Sequence, residues 1–119
     1  MKNYILFFSI LAFSSFVNAQ KLNVDLEKSY SKNELNGMSS GDLNLLEYAL
    51  NHAIYTTPIP DKNISNLKSI KVPLSIVKFT DASLKIENEN QYFRIEGTNV
   101  MLVVKSKYVL KNEMLNSKN

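Results

Sequence analysis

The spacing of apolar positions changes along this chain, and each change marks a structural element. Between Ser40 and Tyr55, the residues Leu43, Leu46, Ala49, Leu50, Ala53 and Ile54 recur at helical spacing. Such spacing puts them on one face and predicts an amphipathic helix. Ser40 can cap it, and Asp42 suits the positive end of the helix dipole. The run Thr56-Thr57-Pro58-Ile59-Pro60 is read as its stop: Pro58 disfavours a helical backbone at Thr57, and neither proline has an N–H to donate.

From Lys68 the period becomes two. Ile70, Val72, Leu74 and Ile76 alternate with Lys71, Pro73 and Ser75, and then Val77 and Phe79 fall out of phase. A bulge near Ile76-Val77 accounts for the slip, and Pro73 puts this strand at a sheet edge or beside an irregularity. After a turn at Thr80-Asp81, the segments Leu84 to Asn88, Tyr92 to Glu96 and Asn99 to about Tyr108 read as an antiparallel meander. Upstream, Leu22, Val24 and Leu26 alternate and predict a short strand. The polar remainder of residues 20–40 is expected to be a loose, partly disordered connection.

Charges set a register for the meander. With Asn90-Gln91 as a turn, Glu87 falls opposite Arg94 and Lys85 opposite Glu96, two cross-strand pairs that would each contribute about 0.2–1 kcal/mol. Gly97-Thr98 supplies the glycine that a type II′ turn needs, so Phe93 meets Leu102, Ile95 meets Val100, and Tyr92 meets Val103. Leu84, Ile86, Phe93, Ile95, Val100, Leu102 and Val104 then share a face for the helix to cover. The run Val100-Met101-Leu102-Val103-Val104 leaves Met101 and Val103 on the opposite face, beside Lys85, Glu87, Arg94 and Glu96. Three covers are open to them: the N-terminal segment, a second layer formed by the strand from Lys68 to Phe79, or another molecule. Lys105 and Lys107 follow the run as charges that discourage edge pairing.

Length and composition narrow the class. The chain has 119 residues, of which the first 19 read as a cleavable signal peptide. Met1-Lys2 gives a basic start, Tyr4 to Val17 an apolar stretch, and Val17-Asn18-Ala19 small residues at the positions a signal peptidase inspects, with cleavage between Ala19 and Gln20. Ser9, Ser14 and Ser15 dilute that stretch, which is shorter than the roughly 20 residues of a spanning helix. Its Asn-Ala-Gln ending resembles the leaders of exported proteins from AT-rich Gram-negative bacteria, which implies a periplasmic or secreted destination. The 100 residues after the leader are enough for one small domain. With no cysteine in the chain, they offer no disulfide, no thiolate metal site and no acylation site at the cleavage point.

Removing the leader with Lys2 leaves 13 basic residues against 11 acidic ones, a balance of +2, and Arg94 is the single arginine. The lysines are dispersed, so neither a nucleic-acid patch nor an electrostatic membrane anchor is indicated. Catalytic motifs are likewise missing. The lone histidine, His52, has no local nucleophile or tautomer-fixing partner, and one histidine without cysteine makes a poor zinc site. Glu87 and Glu89 read as neighbouring surface charges rather than carboxylates facing across a cleft. Gly37, Gly41 and Gly97 build no phosphate loop, and no Gly-x-Ser-x-Gly elbow occurs. Asn63-Ile64-Ser65 matches a glycosylation sequon, which for the bacterial source implied by the leader is read as a chance occurrence.

The fold class expected is therefore α+β: one amphipathic helix on a small, mainly antiparallel sheet, made of the three-stranded C-terminal meander plus one or two further strands. Residues 1–19 are the leader, 20–40 the polar segment and 41–119 the domain. The functional expectation is a non-catalytic interaction or structural module with no cofactor and no metal. Its partner is an envelope protein or a second copy, and not nucleic acid or a membrane. Tyr92, Arg94, Met101 and Val103 are the candidate contact residues. The alternative is a small-ligand or enzymatic site in the helix–sheet crevice at His52, Tyr48 and Tyr55.

Overall fold

The computed structural model describes residues 24–60 and 67–117. The expected leader, the cleavage expected between Ala19 and Gln20, Leu22 and the sequon-like Asn63-Ile64-Ser65 lie outside the described residues. The fold is α+β, with helices packed on a four-stranded, mostly antiparallel sheet.

Residues 24–26 are helical, which corrects the strand expected there. A short helix, α1 (Lys32–Asn36), follows. Ser31 starts it with a capping box: its Oγ accepts from the Glu34 amide at 3.1 Å, while the Glu34 carboxylate accepts from the Ser31 amide at 3.0 Å. Leu26, Tyr30 and Leu35 are buried in the main core, so the packed unit begins well before residue 41. Ion pairs fasten the same segment to the loop after residue 77: Lys78 to Asp25 at 3.1 Å, Lys28 to Asp81 at 3.1 Å, and Lys85 to Glu34 at 2.8 Å.

The amphipathic helix, α2 (Ser40–His52), forms where its periodicity predicts. Its cap is Ser39, one residue earlier than expected, with Oγ accepting from the Asp42 amide at 3.1 Å. Leu45, Leu46, Ala49 and Leu50 are its buried positions, and Leu43 is half-buried at the flank. The chain then enters a strand, β1 (Ile54–Pro58), and not merely a stop. Pro58 is tolerated because it is the last residue of an edge strand, where no donor is required. Beyond residue 67 come β2 (Lys68–Ile70), a 3₁₀ turn at Phe79–Ala82, β3 (Gln91–Ile95) and β4 (Val100–Val104). A C-terminal helix, α3 (Lys107–Ser117), which the periodicity reading did not anticipate, packs against α2.

The sheet order is β1-β4-β3-β2. β4 is central and antiparallel to both neighbours, while β2 runs parallel to β3. The register expected for β3 and β4 is the one observed, with Phe93 opposite Leu102 and Tyr92 opposite Val103. Gly97 has the positive φ expected of it, 78°. Its turn, however, is closed by the Thr98 amide donating to the Ile95 carbonyl at 3.1 Å, which puts Gly97 third in the turn and not at the first central position of a II′ hairpin.

The third strand of the expected meander does not form. Residues 84–88 spend their backbone groups elsewhere: the Ile86 amide donates to the Tyr30 hydroxyl at 2.9 Å, the Lys85 carbonyl accepts from the Gln91 side chain at 2.7 Å, and the Glu87 carbonyl accepts from the Lys107 amide at 2.9 Å. β2 takes the place beside β3 instead, so neither Glu87 with Arg94 nor Lys85 with Glu96 becomes a cross-strand pair. The long strand expected up to Phe79 is also cut short. A turn in which the Ile76 amide donates to the Pro73 carbonyl at 3.1 Å interrupts it, leaving Leu74 and Val77 exposed.

Candidate functional site

Strand register decides which side chains can meet. Alternation along β4 puts Leu102 and Val104 on one face, with Phe93, Thr56 and Ile54 as cross-strand neighbours. Val104, Ile54 and Phe93 belong to or pack on the core that contains α2, Phe79 and Leu110. Met101 and Val103 take the other face. Tyr55 and Tyr92 stand opposite Val103 from either side, and Thr57 and Arg94 stand opposite Met101 in the same way.

Met101 is 8% exposed and Val103 2%, so the chain itself covers both. Neither offers surface to a partner, which removes them from the expected contact set. The flanking residues differ: Tyr55 is 49% exposed, Tyr92 47%, and Arg94 is half-buried. A sheet strand fixes the backbone beneath each ring, and the Asn90 side-chain Nδ2 donates to the Tyr92 hydroxyl at 3.4 Å. The result is a pair of half-exposed aromatic rings on either side of a buried strand centre, with one guanidinium beside them.

The alternative site residues also come together, through two residues the sequence reading did not assign to a site. His52 stacks on Tyr48, ring centroids 4.2 Å apart and planes at 18°. The Tyr48 hydroxyl donates to Glu113 of α3 at 3.3 Å, and Lys105 donates to both oxygens of that carboxylate at 3.1 and 2.8 Å. The Lys105 ammonium lies 5.8 Å from the centroid of the Tyr55 ring. Partial burial raises the Tyr48 pKa, and the Glu113 carboxylate adds to the effect. Glu113 is held here because Ser106 caps α3, its Oγ accepting from the Val109 amide at 3.2 Å, and Leu110 anchors the helix in the core. The sequence carried that signal in Ser106 and in the helical spacing of Leu110 and Met114.

Chemically this second cluster is closed on itself. Lys105 and Glu113 satisfy each other, Tyr48 donates to the same carboxylate, and exposed His52 stacks on the outside of Tyr48. Glu87 and Glu89 are exposed in a loop and do not share a strand face. Among the described residues no group of His, Cys, Asp or Glu side chains is arranged to hold a metal ion, and no helix is long and apolar enough to cross a membrane.

No protein-family model matches this chain, and neither a curated protein nor a solved structure matches it.

Proposed function

We propose that this chain is an exported, non-catalytic interaction module, released to the periplasm or the medium, which meets a protein partner through Tyr55, Tyr92 and Arg94. The observation that supports this reading is the half-exposure of two tyrosines held opposite the same buried residue, Val103. Rings on a sheet supply contact area with little ordering cost, and Tyr and Arg are over-represented among side chains that carry binding energy. The partner is an envelope protein or a second copy of this chain. Dispersed lysines and a single arginine argue against nucleic acid.

Two measurements test the proposal: capture from envelope extract after crosslinking, and sedimentation of the purified protein. Each compares the wild type with a Tyr55→Ser, Tyr92→Ser double variant. The expected outcome is a discrete crosslinked or self-associated species that the double variant loses while still melting cooperatively. An identical species from both proteins, or none from the wild type, would overturn the reading. A small-ligand or enzymatic site at His52 is the second reading, supported by the linkage of His52, Tyr48 and Tyr55 through Glu113 and Lys105.

A further inference from the structure

A cavity of about 160 Å³ opens at the start of α2, and its lining shares no residue with the tyrosine face. Its apolar lining comes from Leu45 and Leu46 of α2, Ile86 and Tyr30, all buried, with half-buried Met38 beside them. Tyr30 is fixed there by accepting the Ile86 amide hydrogen bond at 2.9 Å. Two exposed charges of opposite sign complete the lining, Asp42 and Lys107. They make no ion pair with each other, and among the described residues neither has another charged partner.

Size and charge together select a ligand. The volume is near the roughly 150 Å³ of an apolar cavity that accepts a benzene-sized guest, and well below what a drug-sized ligand needs. It therefore suits one aliphatic or aromatic side chain. A simple amine would meet Lys107 as well as Asp42, and a simple carboxylate would meet Asp42 as well as Lys107. A molecule carrying an ammonium, a carboxylate and an apolar side chain on one carbon satisfies every feature at once. We propose that this cavity binds a free apolar α-amino acid, with its side chain against Leu45, Leu46 and Ile86, its ammonium on Asp42 and its carboxylate on Lys107.

The test is an amide NMR titration of the purified protein with L-leucine, glycine, N-acetyl-L-leucine and L-leucinamide, and of the Asp42→Asn and Lys107→Gln variants with L-leucine. Saturable shifts centred on Leu45, Leu46, Ile86 and Lys107 are expected with L-leucine and none with glycine. Losing either charge, in the ligand or in the protein, should weaken binding about tenfold or more, the size of one lost charge-assisted hydrogen bond. No saturable response to L-leucine would overturn the proposal. So would equal affinity for N-acetyl-L-leucine or leucinamide, unchanged affinity in both variants, or a response confined to leucine-containing peptides, which would make the cavity an anchor point for a protein. The ligand series on the unaltered chain decides the matter even where a variant folds poorly.

Discussion

On one face of β4, Leu102 and Val104 are flanked by Phe93 and Ile54; on the other, Val103 is flanked by Tyr55 and Tyr92. The centres of the two faces are alike, since Leu102, Val104, Met101 and Val103 are all buried. The flanks are not. Ile54 and Phe93 pack on the core beneath α2, whereas each tyrosine keeps about half its surface in water. An unbroken apolar run therefore reports that a strand is central and covered on both sides, and says nothing about where a partner would land. That information lies one strand away, in residues whose rings are half wet.

A charge placed on the second face tests most severely whether it is covered. If Met101 fronted a partner site, Met101→Lys with Val103→Thr would leave the monomer folded. Because both side chains are buried, the double variant should instead lose about 3–5 kcal/mol, the scale of an uncompensated buried charge, and with it cooperative unfolding. Arg94 opposite Met101 adds like-charge repulsion. A cooperative denaturant melt close to that of the wild type would show that the second face is open after all. Leu102→Ala on the first face should cost about 2–5 kcal/mol through lost contacts and a residual cavity, measured by the same melt. Similar losses from the two faces would confirm that their centres are equivalent.

Local pattern revealed those parts of the fold whose partners lie close in sequence. α2 was legible because its apolar residues repeat on one helical face, and the β3–β4 register because a glycine turn joins two strands with a shared apolar face. β1 was hidden by Pro58, which reads as a breaker yet costs nothing at the end of an edge strand. The misplaced strand at residues 84–88 alternates correctly, but its backbone bonds go to Tyr30, 56 residues away from Ile86, and to Lys107. No local rule could report that. The capping box at Ser31 and Glu34 was visible and would have turned the N-terminal segment from loop to helix. Of the site residues, Tyr55 and Tyr92 were recognisable as aromatic candidates. Glu113 was not: Ser106 and the spacing of Leu110 and Met114 mark its helix, but nothing local says that this helix docks on α2.

The N-terminal segment is held by fewer contacts, and breaking them should have effects of intermediate size. Tyr30→Phe deletes the acceptor of the buried Ile86 amide and should cost about 1–3 kcal/mol in a denaturant melt. Acid should loosen the same segment by less. The Lys78 ammonium hydrogen-bonds Asp25 and holds its carboxyl below the ordinary value, with partial burial opposing. A depressed folded-state pKa means the contribution is present above the unfolded value of about 3.9 and is lost as pH falls through the lower folded value. For so exposed a pair the loss should not exceed about 1 kcal/mol. An Asp25→Asn variant should show a correspondingly shallower stability loss below pH 4 than the wild type.

The smallest expected effect is at His52, where the tyrosine-face reading and the ligand-site reading part company. Its imidazole is exposed on the last turn of α2, it stacks on Tyr48, and the polar chain beyond Tyr48 is closed by the Lys105–Glu113 pair. His52→Gln removes a ring contact at the surface and leaves every hydrogen bond of that chain in place. Stability should therefore change by no more than about 0.5 kcal/mol, and partner capture by the tyrosine face should be unchanged. Tyr55 separates the readings from the other side, since it belongs both to that chain, through Lys105, and to the face opposite Val103. If Tyr55→Ser abolishes capture while His52→Gln does not, the face acts without the polar chain. Loss of biological activity in His52→Gln at unchanged stability would assign function to the chain of Tyr48, Glu113 and Lys105 instead.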